Sequence, residues 1–210
     1  FGTALNYDSR DDLDYPLKGN YAFIDVGIAG ILGGDKKYVK ATTSFSNFFQ
    51  IYQQLVFKTQ ISGGYIRSFS GHDLYPDDGF YIGGSKLRGF EFGNAGPKIT
   101  NLDSSKENKL IGGNKYFIIN TELRLPIIKD GPIKIFGAFF YNAGLATGIE
   151  KNVNVNLNRI LDSHKIRSSC GLVITLKTPA GNIGFEFSNI ISKEHYDKTE
   201  SFRFSLGTDF

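Results

Sequence analysis

The chain has 210 residues and a net charge of +3 that is spread along the whole sequence, so charge predicts neither a nucleic-acid surface nor an acidic substrate. Phe (19), Tyr (11) and Gly (25) are abundant while Pro is only 6, a composition that favours aromatic strands joined by glycine turns. No stretch approaches the roughly 18 consecutive apolar residues of a transmembrane helix, which excludes a helical membrane protein but not a β-barrel.

Alternation of apolar and polar residues predicts about nine strands. The alternating runs are about 9 to 15 residues long, close to the length of a tilted membrane-spanning strand. No segment has the period and caps of a useful helix, and two glycine pairs, Gly83-Gly84 and Gly112-Gly113, lack the helix that a phosphate loop requires. In chain order the predicted strands are 2–10, 20–32, 37–49, 54–70, 114–126, 133–147, 166–178, 182–191 and 200–210.

The connections alternate between short and long, which predicts an antiparallel up-and-down order. Short turns with Pro and Gly lie at 14–19, 128–132 and 178–182. Longer polar segments lie at 71–113, 148–165 and 192–199, and these would face the extracellular side.

The last predicted strand has one apolar face and one polar face. A soluble sandwich would bury the apolar face in a core and a membrane barrel would turn it to lipid, and alternation alone does not distinguish the two. A terminal aromatic residue resembles the C-terminal recognition strand of bacterial outer-membrane proteins. Gly207, on the polar face, would weaken this strand locally. The apolar face carries Phe202, Phe204, Leu206, Thr208 and Phe210.

Charged residues share one face of the strand at 114–126. Phe117, Ile119, Thr121 and Leu123 oppose Ile118, Asn120, Glu122 and Arg124. Because a charge pointing into hydrocarbon at mid-depth costs about 2–4 kcal/mol, the second set is expected to face an aqueous or protein-filled lumen.

One motif carries a resemblance to a known family. Residues 80–90, Phe-Tyr-Ile-Gly-Gly-Ser-Lys-Leu-Arg-Gly-Phe, followed by Gly96-Pro97-Lys98, resemble the sixth extracellular loop of the BamA family. Further segments match in family order, so the resemblance covers essentially the whole chain. It implies that residues 1–210 are an all-β portion of a transmembrane up-and-down barrel, the last nine strands of sixteen, with a lumen-inserting loop at about 71–113.

The resemblance also implies a loop-to-lumen clamp formed by Leu87-Arg88-Gly89-Phe90. The arginine of the family pairs with acidic residues of the inner wall, and Glu122 occupies a matching position. Asn142 stands where the family carries Asp, which weakens one half of the expected clamp. The planar guanidinium of Arg88 can hold a carboxylate bidentately, and Gly89 permits a close approach to the wall. The alternative is that Arg88 is an ordinary solvated loop residue.

No catalytic or metal site is predicted. His72, His164 and His195 fall in loops without an evident partner, and His195 with Glu194 and Asp197 is interpreted as part of a wet loop. Asp73, Asp77 and Asp78 lack the spacing of a calcium loop. Cys170 is interpreted as a small buried or lipid-facing residue. We therefore expect no enzyme activity, no cofactor and no metal.

The resemblance implies assembly and insertion of other outer-membrane proteins by lateral opening and strand templating. The expected partners are membrane lipids, unfolded barrel proteins and accessory lipoproteins, the last through a periplasmic region upstream of Phe1, with no nucleic acid. The expected location is the bacterial outer membrane. The alternatives are a secretion transporter of the same superfamily, a passive porin or structural barrel, and a mitochondrial or plastid relative.

Overall fold

The computed structural model describes residues 1–33, 36–69, 74–100, 108–149, 160–179 and 181–207. Within these residues there are nine long strands: β1 (Gly2–Asp8), β2 (Gly19–Ala29), β3 (Tyr38–Tyr52), β4 (Leu55–Ser68), β7 (Lys115–Ile128), β8 (Lys134–Thr147), β10 (Arg167–Thr178), β11 (Gly181–Ser192) and β12 (Phe202–Gly207). They form one antiparallel sheet in the order β1-β2-β3-β4-β7-β8-β10-β11-β12.

These nine strands confirm the sequence prediction, with bounds that differ by a few residues. β1 ends at Asp8 and not at residue 10, where Arg10 folds back to form an ion pair with Asp8 (2.7 Å). The described part of the last strand spans Phe202–Gly207, and Thr208 and Phe210 lie outside the described residues. Within the described residues β1 and β12 do not pair with each other, as expected for part of a larger barrel.

The two faces of the sheet differ in chemistry, as the alternation predicts. On β7, Glu122 and Ile118 are buried while Phe117 and Leu123 are 49% and 38% exposed. The face that carries the exposed apolar residues, here called the outer face, matches the lipid-contacting surface of a barrel. It also carries Leu125, Phe139, Tyr141, Leu172, Ile174, Phe187, Phe202, Phe204 and Leu206.

The opposite, inner face is covered by chain segments that fold back onto it. Among the described residues, three apolar clusters lie there. One forms where the segment 74–100 contacts β7 and β8, one where the turn between β1 and β2 contacts β3, β4 and β8, and one around Phe80. The core of this protein is therefore the filled interior of a curved sheet.

A second, small sheet was not predicted from the sequence. β5 (Lys98–Ile99) pairs with β6 (Lys109–Leu110) on one side and with β9 (Ile160–Leu161) on the other, all antiparallel. A short 3-10 helix, Pro76–Asp78, precedes it. The predicted loops at 71–113 and 148–165 are thus joined to each other, and two-residue strands are too short to show an alternating pattern.

No helix in the described residues is both long enough and apolar enough to cross a membrane.

Candidate functional site

The segment 74–100, here called the inner loop, lies against the inner face. Backbone hydrogen bonds fix it at both ends of its central motif. Phe80 and Gly113 exchange two of them, and the bridge beside Phe90 is formed by Glu91 N–H donating to the Lys198 carbonyl and Glu200 N–H donating to the Gly89 carbonyl. Four apolar side chains of the loop are fully buried and pack on β7 and β8. The cluster contains Ile82, Leu87, Phe90 and Ala95 of the loop with Ile118 and Ala146 of the wall.

Glycines give the inner loop its tight path. Gly89 has φ +86, and a Cβ at this position would lie 2.8 Å from Ile190 Cδ1 and 3.2 Å from Ser169 Cβ and Ser188 Cβ. Gly83 has φ +122, and a Cβ there would collide with the carbonyl oxygen of Glu91. Both positions combine a left-handed backbone with close contact, so no other residue fits without displacement.

Arg88 extends from this loop to two carboxylates on different strands. Its Nη2 donates a hydrogen bond to Glu122 Oε1 on β7 (2.6 Å), and its Nε lies 3.4 Å from Glu186 Oε1 on β11. The side chains of Arg88, Glu122 and Glu186 are only 16%, 8% and 7% exposed. The guanidinium also stacks over the ring of Phe140, 4.8 Å from its centroid. We call Arg88, Glu122 and Glu186 the clamp.

The charges around the clamp are unequal. Glu122 Oε2 has two further cations nearby, Lys58 Nζ at 3.9 Å and Arg124 Nε at 3.7 Å. Arg88 Nη1 and Glu186 Oε2 have no hydrogen-bond partner among the described residues. Glu122 is therefore the centre of the cluster, and Glu186 supports Arg88 from the other side with longer contacts.

The backbone of Arg88 is held as well as its side chain. Ser169 Oγ on β10 donates to the Arg88 carbonyl (2.5 Å). Asn142 on β8 is fully buried, and with its amide oxygen toward the loop it accepts from the Arg88 N–H (3.3 Å) while its nitrogen donates to the Tyr141 carbonyl (3.1 Å). An amide serves here because its partners are one donor and one acceptor of the backbone. Asn142 thus contacts the motif through the main chain and not through the guanidinium.

The other residues singled out from the sequence lie away from this cluster. Phe202, Phe204 and Leu206 are exposed on the outer face, where Phe202 and Phe204 contact Phe187 and Phe185 of β11. Gly207 pairs with Asn182, and Phe210 lies outside the described residues.

Sequence reasoning missed Glu186, Phe140 and Ser169 as partners of Arg88. In the sequence Glu186 alternates with Phe185 and Phe187, which puts it on the polar face of its strand. It gave no sign that a strand near the end of the chain would meet a loop about a hundred residues earlier, because alternation reports a face and not a position along it.

A second buried polar cluster joins the inner loop to the connection 193–201. Arg167 is fully buried and pairs with Asp197 (3.0 Å), and its Nη2 donates to the Tyr196 hydroxyl (3.1 Å). Lys98 Nζ donates to Asn94 Oδ1 (2.9 Å) and to the Tyr196 carbonyl. Burial lowers the pKa of Lys98 below its ordinary value, and the nearby Asp197 opposes this shift. The cluster holds the inner loop against the connection 193–201.

Three of the acidic residues considered from the sequence are bound to other side chains. Asp197 pairs with Arg167, and Glu194 Oε1 accepts from Ser163 Oγ (2.8 Å). Asp78 pairs with Lys36 (2.6 Å). His72 and Asp73 lie outside the described residues. Across the described ranges, no group of three His, Cys, Asp or Glu side chains is arranged to hold a metal ion.

Comparison with known proteins places this geometry in a family. The Omp85 superfamily domain matches residues 1–210. The outer membrane protein assembly factor BamA of Neorickettsia risticii is 26% identical over 208 residues, which is 99% of this chain and 27% of the relative. BamA of Neisseria meningitidis is 27% identical over 97% of this chain and 28% of its own length. A SAM50-like protein of Drosophila melanogaster is 26% identical over 99% of this chain and 44% of its own length.

A solved structure agrees with the fold. The crystal structure of BamA from Haemophilus ducreyi lacking POTRA domains 1-3 superposes with a TM-score of 0.80 at 25% sequence identity. The match covers 97% of this chain and 41% of that one. The chain therefore spans less than half the length of each of these relatives.

Proposed function

The chain belongs to the Omp85 superfamily, and on that premise we propose that it is part of an outer-membrane assembly factor that folds and inserts other β-barrel proteins. The observation that best supports this proposal is the clamp, in which Arg88 ties a glycine-rich loop to Glu122 and Glu186. A passive channel needs an open lumen, whereas here a buried loop occupies the inner face. The BamA relatives are named as assembly factors.

In the proposed mechanism the edge of the sheet acts as a template for an incoming strand. Among the described residues, β12 pairs with β11 over six residue pairs, from Asn182–Gly207 to Phe187–Phe202. Backbone groups left unpaired in hydrocarbon cost several kcal/mol each, so an arriving strand gains by pairing with such an edge. Gly207 lacks a side chain that could pack against a neighbouring strand, and this weakens β12 locally.

The proposed role of the clamp is to keep the wall rigid while the edge moves. Arg88 and its backbone contact four strands, through Glu122 on β7, Asn142 on β8, Ser169 on β10 and Glu186 on β11. A single residue that links four neighbouring strands resists their separation. Opening would then be confined to the edge beyond β11.

The partners we propose follow from this function. The outer face contacts membrane lipid, and the clients are unfolded outer-membrane proteins. Accessory lipoproteins would bind a periplasmic region of the complete protein. We propose the bacterial outer membrane as the location, since the BamA relatives are bacterial, and an organellar outer membrane is the alternative raised by the Drosophila relative.

Reconstitution of the full-length protein tests this proposal. Liposomes containing the protein should fold an added, urea-unfolded barrel protein faster than liposomes without it, measured as the heat-sensitive mobility shift of the folded client on a gel. Equal rates with and without the protein would overturn the assignment. Appearance of a soluble passenger inside the liposomes would instead identify a secretion transporter, and steady ion conductance without client folding would identify a porin.

A further inference from the structure

The turn between β1 and β2, residues 9–18, folds onto the inner face instead of projecting from the end of the barrel. Tyr15 is only 7% exposed and packs with Phe48 of β3, Val56 of β4 and Phe136 of β8. Its ring stacks on Phe136 with centroids 4.9 Å apart, and its hydroxyl donates to the Gln54 carbonyl (3.0 Å). A short turn can connect two paired strands without making any of these contacts.

The contacts of this turn extend far across the sheet. In the sheet order β8 and β10 stand four and five places beyond β2. Neighbouring strands are about 4.8 Å apart, so the turn meets wall that lies on the order of 20 Å away along the sheet. Lys134 Nζ at the start of β8 donates a hydrogen bond to Asp14 Oδ2 (3.2 Å), and Lys177 Nζ of β10 donates one to the Asp14 carbonyl (2.8 Å). The turn therefore bridges the inner face at the end where the short turns lie.

Hydrogen bonds within the turn also fix its conformation. Asp12 Oδ1 accepts hydrogen bonds from the N–H groups of Asp14 (2.7 Å) and Tyr15 (2.8 Å). Asp11 Oδ1 accepts from those of Leu17 (2.9 Å) and Lys18 (3.1 Å). Side-chain caps of this kind preform a turn, and here they present Tyr15 to the wall.

Arg124 connects this turn to the clamp. Its guanidinium lies 5.2 Å from the centroid of the Tyr15 ring, and its Nε lies 3.7 Å from Glu122 Oε2. Glu122 in turn binds Arg88. A single cavity of about 650 Å³ lies between the two regions and is lined by Asp14 and Pro16 of the turn as well as by Arg88 and Glu122. The contacts thus run without a break from the inner loop to the opposite end of the lumen.

We propose that residues 9–18 form a latch across the short-turn end of the lumen, and that Arg124 couples this latch to the clamp. Release of either one then makes the other easier to open, because a coupling between two sites acts equally in both directions. The latch does not depend on the assembly function proposed above, since its contacts lie within the chain and involve no client.

Limited trypsin digestion of the full-length protein in detergent micelles, without client, tests the latch. Lys18 is an exposed trypsin site at the end of the turn, and Lys129 in another short turn is an exposed internal reference. Tyr15→Ala should accelerate cleavage after Lys18 relative to Lys129. Leu13→Ala, in the same turn but at a side chain 74% exposed, should digest like the wild type. Equal Lys18 rates in both variants and the wild type would overturn the latch.

The coupling is tested from the far end of the lumen. Arg88→Ala should also accelerate cleavage after Lys18 without affecting Lys129, and in an Arg124→Gln background it should add no further acceleration. Lys86→Ala, which removes an exposed cation two residues away, is the matched control. An unchanged Lys18 rate in Arg88→Ala, or equal acceleration at Lys18 and Lys129, would overturn the coupling. Neither result bears on client folding, so the two proposals fail separately.

Discussion

Ion pairs are present at both ends of the inner face, but they are buried at one end and exposed at the other. At the clamp, Arg88 meets carboxylates whose side chains are 8% and 7% exposed. At the latch, Asp14 is 61% exposed where it meets Lys134 and Lys177, and the buried contact is the aromatic ring of Tyr15. Ion pairs in water contribute little, whereas removing one partner of a buried pair is costly. Charge therefore dominates one end and apolar packing the other.

Arg88→Ala should have the largest effect, because it leaves Glu122 and Glu186 buried without their shared cation. Breaking a buried ion pair in this way costs about 3–5 kcal/mol. We expect loss of growth when the variant is the only copy in a depletion strain, and a lower temperature for the heat-dependent mobility shift. Lys86→Ala should complement fully. Wild-type growth and heat stability of Arg88→Ala would show that the clamp contributes no more than a surface pair.

Gly89→Ala should have the next largest effect, and Gly131→Ala isolates its cause. Both glycines have positive φ, +86 and +109, so both substitutions carry the backbone strain of about 1–2 kcal/mol. Only at Gly89 does the new Cβ also meet Ile190, Ser169 and Ser188, since nothing lies within 4 Å at Gly131. The temperature at which purified protein undergoes its heat-dependent mobility shift should therefore fall further for Gly89→Ala than for Gly131→Ala. An equal fall of this temperature in the two variants would mean that the loop is not in close contact with the strands at Gly89.

Asp14→Asn should have the smallest effect, because exposed ion pairs contribute less than about 1 kcal/mol. A slight acceleration of trypsin cleavage after Lys18 is expected at low salt. At about 1 M salt the difference from wild type should vanish, since screening then acts over roughly 3 Å. A difference that persists in high salt would mean that Asp14 acts through its turn geometry and not through its charge.

Acid should weaken the latch as slightly as Asp14→Asn does, because it removes the same charge. The hydrogen bond from Lys134 and the charge of Lys177 lower the pKa of Asp14 below its ordinary value. The ionic contact is therefore complete at neutral pH and is lost only as the pH falls through this lowered pKa. An acid-stable protease such as pepsin should cleave the turn of wild-type protein and Asp14→Asn at the same rate at the lowest pH.

The sequence alone determined the nine strands, their antiparallel order and which face of each strand turns inward. These properties depend on a period of two residues and on the turn residues between strands, which are local and repeat along the chain. The motif around Arg88 and its partner Glu122 were found through resemblance to a family, and the geometry places them 2.6 Å apart.

Only the tertiary structure decided what meets across the lumen. Glu186 reaches Arg88, Tyr15 reaches Phe136, and the short strands β5, β6 and β9 find one another because the sheet curves and brings distant strands together. Alternation assigns each of these residues to a face but carries no information on its depth or on the curvature of the wall. The clamp could thus be predicted in part, and the latch, which joins a turn to strands far along the sheet, could not.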